Sequence, residues 1–105
     1  DTYPKGDYED YARNPDTYSG FPVQIEGTVL QVVEGDESNA YRIYTDEDYN
    51  QIWYVEYAPV EGDSRILEND TVTIYGIYRG ICTYESVLGG DISIPAIAAE
   101  NMIVE

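Results

Sequence analysis

Apolar and polar residues alternate with period two along much of the chain. Phe21, Val23, Ile25 and Val29 take turns with Gln24, Glu26 and Thr28, the pattern of a strand with one face buried. Gly27 interrupts the run, and beyond it the order loosens into Val29, Leu30, Val32 and Val33. This predicts a long first strand that bends at the glycine and contributes to both halves of a barrel. Residues 40–45 and 51–57 repeat the alternation on either side of Asp46-Glu47-Asp48-Tyr49-Asn50, a polar, turn-forming stretch, and so predict a hairpin. With the hairpin centred on Tyr49, Ile43 faces Val55 and Tyr41 faces Tyr57 on the inner side, while Arg42 faces Glu56 and Tyr44 faces Tyr54 outside. A slip by one residue would drive Arg42 into the core and turn Ile43 and Val55 into water, so burial argues against it.

Residues 58–70 hold Pro59, Gly62 and Asn69-Asp70, a connector with room for no more than a turn of helix at 64–68. A fourth strand runs from Thr71 to about Tyr78, with Val72 and Ile74 on one face, Thr73 and Tyr75 on the other, and Gly76 as a bend; Gly80 closes it. The Gly89-Gly90 turn leads to a fifth strand from Asp91, which carries Ile92 and Ile94 inward, and Pro95 places it at an edge or bulge. Residues 97–104 either continue this strand or return beside the first. At the other end, residues 1–6 show no periodicity and read as a flexible tail. Asp7 then caps a helix of about two turns, with Glu9 and Asp10 in its first turn, Arg13 in its last and Pro15 forbidding continuation. Its Tyr8, Tyr11 and Ala12 lie close to one face and form a lid for an open barrel end. Residues 7–105 thus read as a single all-β domain with a short N-terminal helix.

Composition narrows the function. The 105 residues fit one domain, and a hydrophobic share of 43% argues against wholesale disorder. The formal net charge is -16, from 21 carboxylates against five basic residues. Lys5, Arg13, Arg42, Arg65 and Arg79 form no run, so the counterion release that drives nucleic-acid binding has little to act through. Nucleic acid is therefore disfavoured as a partner. Cys82 is the sole cysteine and histidine is absent, which excludes an internal disulfide and removes the usual zinc ligands. Without a histidine to activate it, Cys82 reads as a small buried hydrophobe. Carboxylates gather at Glu34-Gly35-Asp36-Glu37, Asp46-Glu47-Asp48 and Glu61-Gly62-Asp63, without the EF-hand spacing, so solvated turns are favoured over a calcium site. No cofactor motif or catalytic set is visible. A paired-carboxylate glycosidase would need a deep cleft, whereas a chain of this size fills its interior with core, so no enzymatic activity is expected. The longest small apolar run, 94–99, is too short to span a bilayer. A start at Asp1 rather than methionine reads as a mature or trimmed fragment, which leaves a leader or anchor open.

A family likeness accompanies this pattern. Asn14-Pro15-Asp16 with Tyr18 and Gly20, VQIEGTVLQVVEG at 23–35, the strand at 53–57, SRILENDTVTIYG at 64–76 and GGDISIPAIAAENM at 89–102 occur in an order that resembles OB-fold domains of Gram-positive bacteria. The likeness covers roughly residues 8–103. It implies a five-stranded OB-type Greek-key barrel, similar to the tRNA-anticodon-binding kind, of the sort found in lipoproteins and membrane-anchored surface proteins. No catalytic residues come with it. The chain departs from the family in its short third connector, which leaves the N-terminal helix as the plug, and in its acidity, so nucleic-acid binding is not carried over.

OB folds commonly hold ligands on the outward face of the second and third strands. Here that face presents Arg42, Tyr44, Ile52, Tyr54 and Glu56. Tyr44 and Tyr54 would stack on a flat ligand and Arg42 would donate to it, the plainer alternative being cross-strand pairing with Arg42 neutralised by Glu56. Trp53, in phase with Val55, belongs to the core. The expectation is a non-enzymatic binding or accessory domain, extracellular or on the cell surface, whose ligand is a protein, peptide or glycan. A single-stranded nucleic-acid module is the runner-up, and a passive spacer domain the remaining alternative.

Overall fold

The computed structural model of the chain describes residues 3–60, 62, 64–85 and 89–105, with Tyr84 described by its backbone alone. Five strands, β1 (Pro22–Val33), β2 (Asn39–Thr45), β3 (Ile52–Tyr57), β4 (Thr71–Glu85) and β5 (Asp91–Val104), close into a barrel in the order β1-β2-β3-β5-β4. Every pairing is antiparallel except β3 with β5, which run parallel over Tyr54–Ala96, Val55–Ile97 and Glu56–Ala98. This is a small all-β, OB-like barrel: the alternation predicts its strands, and the resemblance implies its OB-type closure.

In β1 the alternation places Val23, Ile25 and Val29 in the core. Phe21, which shares their phase, lies just before the strand and is 55% exposed. Residues 22–28 pair with β4 and residues 27–33 with β2, so one strand does serve both halves. Gly27 sits at the changeover, where a Cβ would fall 2.4 Å from the Tyr44 carbonyl oxygen. The glycine therefore permits a close approach, and the surplus residue of the bend is Leu30, where the register shifts between Val29 and Gln31.

The hairpin of β2 and β3 forms with a different register. Ile43 lies opposite Trp53, Tyr41 opposite Val55, Arg42 opposite Tyr54 and Ala40 opposite Glu56. The pairing expected from a turn centred on Tyr49 is off by two residues. Its cause is the turn: Asp46 and Glu47 both take positive φ (56° and 54°), Asp48 N donates to the Thr45 carbonyl, and Thr45 N donates to that of Gln51. The centre is therefore Asp48. A shift by two preserves which face each residue occupies, so Tyr41, Ile43, Trp53, Val55 and Tyr57 are all buried as expected.

Gly80 does not close β4. With Arg79 surplus and Gly80 at φ +86°, it forms a bulge through which the strand runs on to Glu85. Residues 97–104 continue β5 beside β4. Past the barrel, residues 81–85 and 91–95 extend as a two-stranded ribbon, and Pro95 falls in the part of β5 whose one described neighbour is β4. Ile94 is buried and Ile92 half-buried; Cys82, opposite Ile94, is half-buried and free rather than a core residue.

Asp7 caps α1 (Tyr8–Arg13), its Oδ2 accepting from Asp10 N at 3.2 Å. α1 ends at Arg13, before Pro15, as expected; Pro15, whose missing N–H is harmless at a first helical position, opens a second short helix, α2 (Pro15–Tyr18). Tyr11 stacks on Tyr18 (centroids 4.2 Å apart, planes at 9°) and meets Trp53 and Tyr78 edge-on. The Tyr78 hydroxyl donates to the Tyr11 carbonyl at 2.9 Å, and Trp53 Nε1 donates to Thr45 Oγ1 at 3.2 Å. This aromatic plug closes one end of the barrel. Away from it, Ile66 of the connector joins the core. Among the tail residues, Pro4–Gly6 lie paired rather than free: Gln24 N donates to the Pro4 carbonyl and Gly6 N to that of Gln24, each at 2.8 Å. They fill the edge of β1 that β2 has not yet reached.

Candidate ligand-binding face

The strand pairing sets the outward side chains of β2 and β3 in rows. One row runs Gln31–Arg42–Tyr54–Ala96, the next Val33–Ala40–Glu56–Ala98, and a third joins Thr28, Tyr44 and Ile52. The sequence-predicted residues Arg42, Tyr44, Tyr54 and Glu56 therefore share one face, with Ile52 beside them. Arg42, Tyr44, Ile52 and Tyr54 are half-buried, whereas Glu56 is exposed. Ala40, Ala96 and Ala98 flank Arg42 and Tyr54 and leave the surface low around them.

The neutralisation of Arg42 by Glu56 does not occur, because the two-residue shift places Glu56 opposite Ala40. Arg42 Nη1 instead donates to Gln31 Oε1 at 3.2 Å. Its Nε is buried without a hydrogen-bond partner, alone in this among the described residues. The ion pairs among the described residues are Arg13 with Glu9 and Arg65 with Glu34, so the Arg42 charge is held on the sheet without a carboxylate against it. An arginine without a carboxylate partner favours an acceptor brought to its terminal nitrogens by something else.

Tyr49 was legible only as a turn residue. In the structure its ring lies 4.5 Å from that of Tyr44, tilted by 44°, and extends the aromatic surface beyond the end of β2. A hydrogen bond with Tyr44 pushes the Tyr49 hydroxyl above its usual pKa. The nearest sequence signal is an aromatic inside a turn otherwise built of acids and Asn, where burial cannot explain it.

Other candidates carry less. A cleft of about 500 Å³ beneath the connector is lined by Tyr41, Tyr57, Ile66 and Met102, with Arg65 and Glu34 at its side. Arg65 there is bound to Glu34 through Nε and a terminal nitrogen at 2.9 and 2.8 Å, which satisfies its fork. Among the described residues no group of three or more His, Cys, Asp or Glu could hold a metal ion. Glu61 and Asp63 of the third acidic cluster lie outside the described residues. No helix among the described residues is long and apolar enough to cross a membrane. A scan against protein-family models and a search of curated proteins each found no match.

Proposed function

We propose that this chain is a non-catalytic binding or accessory domain of a secreted or cell-surface bacterial protein. The outer face of β2 and β3 takes a protein, peptide or glycan segment. The observation that carries the reading is Arg42, a half-buried guanidinium that makes no ion pair among the described residues and lies opposite Tyr54 in a row flanked by alanine. A segment laid across this face would stack on Tyr44 and Tyr54 and accept hydrogen bonds from Arg42, while Glu56 at the margin would favour donors. The resemblance to Gram-positive surface modules supports a place outside the cell. The net charge of -16 supports a partner that is not a polyanion.

The test is retention of peptide and glycan fragments from a Gram-positive cell envelope on the immobilised chain. The wild type is expected to retain a defined fragment. Tyr44→Ser with Tyr54→Ser, and separately Arg42→Ala, should weaken that retention by about tenfold or more, as loss of a stacked aromatic or charged anchor does. Equal retention by folded variants would reject the face.

A further inference from the structure

Residues 3–6 sit on the barrel as a bound peptide would. Gln24 N donates to the Pro4 carbonyl and Gly6 N to the Gln24 carbonyl, each at 2.8 Å, so that Lys5 is bridged in parallel to Gln24 of β1. The Tyr3 ring meets that of Tyr75 edge-on at 5.4 Å, and its hydroxyl donates to Glu100 Oε1 at 2.6 Å. Tyr75 lies opposite Gln24 on β4, so this side chain reaches from the edge of β1 to the strands beyond it. Lys5 shares a hollow of about 290 Å³ with Glu26 and Asp46, which sets a base beside two acids. Gly6 lies against the core: a Cβ there would fall 2.7 Å from Val23 Cγ2, 3.3 Å from Ile25 Cγ2 and 3.4 Å from the Trp53 ring. Main-chain pairing, a side-chain anchor and a position too close-packed for a side chain are the elements of recognition by strand addition.

The hold is specific yet slight. One bridged residue ties the segment to β1, whereas an unbroken ladder from Pro22 to Thr28 joins β1 to β4. Pro4 and Lys5 are exposed, and the Tyr3 hydrogen bond lies at the surface. Segments with few buried contacts open at a smaller cost in free energy than the body of the fold. When this one lifts, it bares both main-chain groups of Gln24, the apolar floor beneath Gly6 and the Tyr75–Glu100 socket together. Those groups make a complete site for an extended strand. A proline at the second place presets the backbone of its occupant in an extended form.

We propose that the β1 edge at Gln24 is a recognition slot for an extended peptide of the pattern tyrosine, proline, base, glycine. Residues 3–6 are its resident ligand, and the matching segment of a partner protein displaces them. The slot uses none of Arg42, Tyr44, Tyr54 or Glu56 and stands apart from the outer-face reading. The experiment is a two-dimensional NMR titration of the full chain, as wild type and as Tyr3→Ala with Gly6→Val. In that variant the anchor is gone and a clash with Val23 lifts the segment. The probe is acetyl-Thr-Tyr-Pro-Lys-Gly-Asp-amide, and the control is the same peptide with valine in place of its glycine.

In the variant the Gln24 amide should exchange with solvent faster than in the wild type. The probe should give saturable shifts at Gln24, Tyr75 and Glu100 and slow that exchange again. The wild type should respond more weakly by about tenfold or more, because a tethered segment competes at a high effective concentration. The control should leave these signals where they are. Tyr3→Ala with Pro4→Gly loosens the segment at exposed or half-buried positions and keeps the glycine against the core, so this second variant serves even where the first does not fold. It should respond severalfold more strongly than the wild type. A folded variant, with its Ile74 and Tyr78 signals unshifted, that gives no saturable response to the probe would overturn the proposal. So would an equal response to the control peptide, or an equal response by the wild type, whatever becomes of the outer face.

Discussion

Tyr78 shows how one side chain can tie several parts of the chain together. It is fully buried, its ring meets Tyr11 and Trp53 edge-on, and its hydroxyl bonds the backbone of α1. Burial pushes its pKa up to about 12, from an ordinary value of 10.0. The folded state therefore keeps a proton that the unfolded chain releases, and stability must fall as the pH rises above the unfolded value. Denaturant midpoints should hold steady up to about pH 9.5 and decline from pH 10 towards 12. Tyr78→Phe should remove part of that decline and lower stability at neutral pH by about 1 kcal/mol, the worth of a buried hydrogen bond. A midpoint indifferent to alkali would contradict the burial. At this scale the sequence was informative about which side chains are inside, because phase alone decides it for Val23, Ile43, Trp53 and Val55. It was silent on Tyr49, whose position depends on a neighbour rather than on a period.

Elements were legible to the extent that their signals are local. The Asp7 cap, the two arms of the hairpin and the start of β4 follow from residues within a few positions of one another. The hairpin register did not, since a slip of two leaves every face unchanged and only the positive-φ pair Asp46 and Glu47 distinguishes the alternatives. That slip separates Arg42 from Glu56 and so changes the candidate site more than it changes the fold. Gly80 was misleading for a related reason: the same left-handed freedom serves a chain reversal and a bulge, and only the partner strand decides between them. The cap itself is open to measurement. Asp7→Ala removes the acceptor for Asp10 N and should cost about 1 kcal/mol. For a chain of this size that lowers the melting temperature by about 4–8 °C. Trp53, the sole tryptophan, reports whether the aromatic plug loosens with it. A melting temperature within error of the wild type would mean that tertiary contacts alone hold α1.

For the whole molecule the dominant long-range force is repulsion. The described ion pairs, Arg13 with Glu9 and Arg65 with Glu34, lie on the surface and offset little of a net charge of -16. Added sodium chloride should therefore raise the melting temperature between about 0.01 and 0.15 M, the range over which screening shortens from about 30 to 8 Å. A fall would mean that attractive pairs outweigh the repulsion. Barrel closure resists that repulsion through a parallel seam of only Tyr54–Ala96, Val55–Ile97 and Glu56–Ala98. Elsewhere, the edge of β1 that β2 does not reach is already occupied: Pro4 to Gly6 use both main-chain groups of Gln24. An edge so occupied cannot recruit the same edge of another molecule. Covering those groups removes one place where another strand could add, a contact that would become easier at acidic pH once the carboxylates lose their charge.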